Sequence, residues 1–161
     1  MSQQIINTWK SQLHARAIHI YKLLLKLKAK SNVQNAENIH QKVFSEMDCL
    51  QCANCCKSIP PIISKRDSKR IAKHLGMRPS EFDNTYVRID EDGDRVFNQS
   101  PCFFLQEDNK CSIYEVRPAA CRAYPHSGSF DFFNHIRLHK KNFRHCPALF
   151  EIARRIVEDQ K

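Results

Sequence analysis

Four cysteines fall within eight residues, Cys49, Cys52, Cys55 and Cys56 in DCLQCANCCKS, and a C-x2-C-x2-C-C run converges thiols on a small volume. Thiolates gathered in this way suit a soft metal ion or an iron–sulfur cluster. Neighbouring side chains point in different directions, so Cys55 and Cys56 are expected to serve two metal positions, or one to bind metal while the other packs. Cys102, Cys111, Cys121 and Cys146 bring the total to eight, enough for two tetrathiolate sites or for one cluster with thiols to spare. Zinc takes four thiolates in a tetrahedral shell, with pairs commonly spaced C-x2-4-C. Iron–sulfur clusters also take four, and repeated C-x2-C spacing is one of their marks. The thiol count does not choose between Zn2+ and an iron–sulfur cluster. The C-x3-C-x2-C spacing of radical-SAM proteins is absent from the run.

Disulfides are the competing use of eight cysteines. The start, MSQQIINTWKSQLHARAIHIYKLL, lacks the basic segment, clean apolar stretch and small-residue cleavage site of a secretory signal. A chain of 161 residues can also bury roughly 70% of its unfolded surface without staples. Clustered cysteines in a reducing cytosol read as metal-binding or catalytic. Metal ions are therefore the expected partners, and the cytoplasm the expected location. Lys and Arg total 26 against 17 Asp and Glu, a balance of +9. Eight thiolates on two divalent ions would lower it to about +5, because binding drives off thiol protons. The excess is compatible with nucleic acid, although a solvated basic surface is the plainer reading.

Residues 1–47 hold no cysteine, proline or glycine. Leu13, Ala17, Ile20, Tyr21, Leu24 and Leu27 recur at helical intervals, with Lys22, Lys26 and Lys30 on another face. Such a helix can pack its stripe on a core or lie on an anionic membrane surface. Lysines interrupt every apolar run, so a spanning segment is not expected. A second helix is expected over about 33–47. After the cysteine run, SIPPII is non-helical. Ser64 with Asp67 then caps a helix that Gly76 closes, and Ser80 starts a short one. YVRIDEDGDRVFNQ reads as a hairpin turning at Asp92-Gly93. Its D-x-D-G-D look is a turn rather than a calcium loop, since no glutamate stands at the twelfth position. Arg117-Pro118 starts a short helix, and HCPALFEIARRIVEDQ is a final helix with Leu149, Ile152, Ala153, Ile156 and Val157 inward. The fold expected is mostly α with a small β-hairpin: an irregular, metal-stabilised single domain over 48–161, carrying an N-terminal helical extension over 1–47.

These residues resemble the YkgJ-type CxxCxxCC cysteine-cluster family, described as a zinc- or iron-chelating domain. The first block is Cys49 to Cys56. The second runs from Pro101 and Cys102 through Cys111 in KCSIYEV to Arg117, Pro118, Cys121, Arg122, Tyr124 and Pro125, and Cys146-Pro147 closes the set. The resemblance spans about 49–150 and implies that all eight cysteines are metal ligands. Arg117 and Arg122, lying among them, can offset thiolate charge and donate hydrogen bonds to sulfur, or form ion pairs elsewhere. Tyr124 either joins them or packs in a core. His145, beside Cys146, is a candidate for orienting that sulfur.

Three functions follow. The first is a cytoplasmic metal-binding protein, with a structural, redox or metal-handling role. The second is a cluster-dependent redox or group-transfer enzyme component, because the resemblance extends to a flagellin lysine methylase that contains such a domain within a longer chain. No G-x-G-x-x-G loop is present, and His126, His135, His139 and His145, which could in principle activate a thiol, read better as surface or core residues. No catalytic residue is therefore assigned. The third is a basic zinc module binding nucleic acid, disfavoured because aromatics do not interleave with the basic row.

Overall fold

The computed structural model describes residues 1–28, 33–128 and 132–159. In chain order its helices are α1 (Ser2–Lys28), α2 (Val33–Glu46), α3 (Cys49–Cys52), α4 (Asn54–Ser58), α5 (Lys65–His74), α6 (Pro79–Tyr86), α7 (Ala119–Ala123), α8 (Ile136–Asn142) and α9 (Pro147–Glu158). Strands β1 (Val87–Ile89) and β2 (Arg95–Phe97) pair antiparallel, Arg88 opposite Val96. The protein is thus mostly helical with one two-stranded hairpin. Contacts divide the chain into two compact units, one of residues 1–52 with 125–161 and the other of residues 53–124. The change of composition at residue 47 does not mark this division, because the first helices share a core with the last.

In the first unit, the stripe of α1 is core. Ile20 and Leu24 are buried, with Leu13, Ala17, Tyr21 and Leu27 packed against the same cluster. The facing surface is α9, whose Leu149, Ile152, Ala153, Ile156 and Val157 are all buried. Pro147 takes the first helical turn of α9, where its missing N–H costs nothing. Polar ties fix the register. Trp9 donates its indole N–H to the Phe143 carbonyl at 2.7 Å. Arg155 forks onto the Glu46 carboxylate at 2.6 and 3.1 Å, joining α2 to α9, and also reaches the buried Glu151.

The second unit packs Ile63, Ile71, Ala72, Phe82, Phe97, Phe104 and Ile113 around an aromatic centre in which Phe82 meets Phe97 edge-on. The hairpin turn falls where Asp-Gly places it: Gly93 adopts φ 83°, and Asp90 Oδ1 accepts from the N–H groups of Asp92 and Asp94. Helix α6 starts one residue ahead of Ser80, because Pro79 already has the φ a first turn requires.

Ser64 and Asp67 form a complete capping box at α5. Asp67 does more. Buried to 2% exposure, its Oδ1 accepts from Arg70 at 2.6 Å and from the Ala119 N–H, the first residue of α7, at 3.1 Å. Arg70 also donates to the carbonyls of Arg117 and Val116. Burial pushes the Asp67 carboxyl up, but the hydrogen bonds from Ser64, Arg70 and Ala119 outweigh it and hold the group below its ordinary 3.8. Asp67→Ala should lower the unfolding free energy by about 2–3 kcal/mol, the scale of hydrogen bonds to a buried charge, as read by denaturant titration. Because the folded pKa is depressed, the advantage of wild type is complete above pH values near 3.8. It should fade only as pH falls below that through the folded value.

Candidate metal centre

No disulfide joins any of the eight cysteines. The unit of residues 53–124 holds Cys55, Cys56, Cys102, Cys111 and Cys121, and the other holds Cys49, Cys52 and Cys146.

Within the larger set, local structure gathers the thiols. Cys56 lies in the short α4, which begins after Ala53 takes the left-handed region at φ 47°. The Cys102 N–H bonds to the Cys56 carbonyl at 2.9 Å, clamping the two backbones. Cys111 pairs in an isolated bridge with Leu105, which folds 102–111 back on itself. Cys121 rides on α7, whose first N–H is tied to Asp67. The result is mutual electrostatic coupling. Burial pushes the Cys102 thiol up to about 11, with Cys56 and Cys111 adding to it. Burial pushes Cys121 up to about 12, with Cys56, Cys102 and Cys111 all adding. Cys111 is raised by burial and then by Cys56. Each of these four thiols therefore lies within the field of the other three.

Cys56 moves the other way, down to about 7, chiefly through its contact with Cys55, the two sulfurs standing 3.9 Å apart, and further through Lys57. That lysine, next in sequence to the run, is a positive group outside the cysteine motif. Arg117, expected from the sequence to offset thiolate charge, is the second. Its charge lowers Cys111 and Cys121 against the burial that raises them, while its guanidinium stacks 3.8 Å over the Tyr114 ring and donates to the Tyr114 carbonyl. Arg122 turns to the backbone, donating to the Arg117 carbonyl. Tyr124 ends α7, its N–H on the Ala120 carbonyl and its hydroxyl buried.

In the other unit, α3 places Cys49 and Cys52 three residues apart on one helical turn, hence on one side. Cys146 caps α9, its sulfur accepting from the Leu149 N–H at 3.3 Å. As a residue it is half-buried, yet its sulfur is enclosed. Burial pushes the thiol up to about 12, with Cys49 and Cys52 contributing. The His145 N–H bonds to the Asn142 carbonyl, and burial lowers the His145 imidazole. His139 is a core residue, fully buried with its Nε2 on the Phe132 carbonyl at 2.8 Å, and burial pushes it down to about 4. His126 and His135 stack on each other at 5.2 Å.

As the side chains stand, no three cysteine, histidine, aspartate or glutamate residues among the described residues form a finished coordination cage. The donor chemistry nevertheless fits a thiophilic ion. Half-buried thiols in each other's fields resist multiple ionisation unless a cation compensates them, and Lys57 and Arg117 carry part of that compensation. This is the chemistry of a cysteine-rich metal-chelating module. Residues 48–147 match the CxxCxxCC family, described as "Putative zinc- or iron-chelating domain", and the chain belongs to that family. An uncharacterized protein of Methanocaldococcus jannaschii is 35% identical over 82 residues, which cover 49% of this chain and 44% of that protein. The chain thus spans less than half the length of this relative. No solved structure matches.

The thiols should differ in reactivity. In metal-free protein at neutral pH, an alkylating reagent followed by mass spectrometry should modify Cys56 and the exposed Cys49 first. Cys121 and Cys146 should be reached last, at a rate that rises when the protein is unfolded.

Proposed function

We propose that this chain is a cytoplasmic metal-binding protein in which Cys56, Cys102, Cys111 and Cys121 together hold one zinc ion or iron–sulfur centre. Cys49, Cys52 and Cys146 belong to a second thiolate set, and Cys55 completes the eight. The observation that carries the reading is the pairwise coupling of the first four thiols inside one compact unit. The charged side chains that bear on them are one another, Lys57 and Arg117. Four thiolates fill a tetrahedral shell and leave no open position for substrate, which favours a structural or metal-handling role over a catalytic one. When bound, zinc would supply cohesion to the fold, whereas an iron–sulfur centre would add electron transfer.

The surrounding residues prepare for that charge. Backbone groups at Phe104, Leu105 and Ile113 lower Cys102 and Cys111 against burial, as N–H donors to sulfur do in metal–thiolate sites. Arg117 opposes burial at Cys111 and Cys121 together. The Asp67–Arg70 pair holds the chain between Val116 and Ala119, just ahead of Cys121.

Anaerobic purification followed by zinc, iron and acid-labile sulfide analysis, with a visible spectrum, tests the reading. Stoichiometric zinc in a colourless protein, or iron with sulfide in a coloured one, is expected, and Cys121→Ser should lose that equivalent. A folded protein free of metal would overturn the proposal. Because Cys102, Cys111 and Cys121 are protonated at neutral pH in the free protein, binding should release protons, about one for each of these thiols. Calorimetry in buffers of different ionisation enthalpy should show it, and affinity should rise with pH. Arg117→Leu should weaken retention by roughly tenfold, the scale for partners outside the ligand shell, as measured by chelator competition.

A further inference from the structure

Apart from the single turn of α3, the helices of the unit formed by residues 1–52 and 125–161 that carry no carboxylate are α1 and α8. The first acidic residue of the chain is Glu37, which follows six lysines and arginines. One face of α1 is the stripe buried against α9. Its opposite face, over the C-terminal half, presents Ile18, Lys22, Leu25 and Lys26, positions that fall together on a helical surface. The two aliphatic side chains there are far from buried, Ile18 at 62% exposure and Leu25 at 42%. From α8, Lys140 stands 5.3 Å over the ring of Tyr21, which lies beside Ile18 and Leu25. That contact extends the basic face onto the second helix. Arg16, just before this stretch, is instead occupied by Glu158 at 3.4 Å.

We propose that this face, Ile18, Lys22, Leu25 and Lys26 with Lys140, docks on an anionic lipid surface, with α1 lying along it. Charge complementarity selects an anionic partner, and the aliphatic pair selects lipid among anionic partners. Lysine stems and two branched side chains between them suit the boundary of headgroup and acyl chain. A phosphate backbone rewards the lysines alone. No helix among the described residues is long and apolar enough to cross a membrane, so the helix lies in the interface.

The test is co-sedimentation of the full chain, purified with its metal, with vesicles of phosphatidylcholine alone or with about 30% phosphatidylserine, at two salt concentrations. Binding should occur to the anionic vesicles only and weaken with salt. Lys22→Glu with Lys26→Glu should reduce partitioning at least about twentyfold, since each lysine near such a surface is worth about fivefold. Ile18→Ser with Leu25→Ser should reduce it severalfold. All four positions are on the surface, and unchanged helix content and metal content would show that the variants are intact. Failure of the intact wild type to bind anionic vesicles overturns the proposal, as does binding indifferent to Ile18 and Leu25, which would be plain charge adsorption. Salt-sensitive binding to duplex DNA or RNA without binding to vesicles would overturn it in favour of a nucleic-acid face.

Discussion

Four thiols held within each other's electrostatic reach, behind enough protein to exclude much of the water, form the constraint around which the unit of residues 53–124 is organised. Burial pushes Cys102 and Cys121 well above an ordinary thiol and raises Cys111, and neighbouring cysteines push each further. A cluster of this kind is comfortable while protonated and becomes costly as it ionises. Positive charge resolves the conflict, and the protein supplies some of it through Lys57 and Arg117. Further ionisation of these thiols calls for more positive charge than those two residues provide.

Scaffolding around those thiols is polar as much as apolar. Asp67 links the start of α5 to the start of α7, and Arg70 links the same carboxylate to two carbonyls just ahead of α7. A short helix such as α7, only five residues long, has little stability of its own. Its position, and that of Cys121 on it, is borrowed from α5. In the other unit Glu46, Glu151 and Arg155 bind α2 to α9 in a comparable way, so ionic ties supplement a core that is otherwise aliphatic and aromatic.

Much of this was legible in the chain. The apolar period of residues 13–27, the Ser64/Asp67 capping box, the Asp-Gly turn and the proline at the start of α9 are local signals, and local signals survive in the structure with shifts of a residue at most. The cysteine blocks were legible too, because motif spacing identifies the family. Less legible was how the thiols divide between the units, since sequence spacing says nothing of which distant loops meet. Asp67 looked like a capping residue only. Its bond to Ala119 spans 52 positions and has no local signature. Helix α8 was also missed, because its seven residues carry histidines and lysines rather than a clear apolar period.

Helix α1 packs chiefly against α9, and residues 53–124 form a unit of their own between the two segments of the first. That topology orders events during synthesis on the ribosome. The middle unit, with its five cysteines, has its whole sequence available while α1 and α2 still lack the surface that covers them. Helices α1 and α2 are made before the middle unit yet find their core after it, and until α9 emerges their apolar stripe is open to whatever the nascent chain meets.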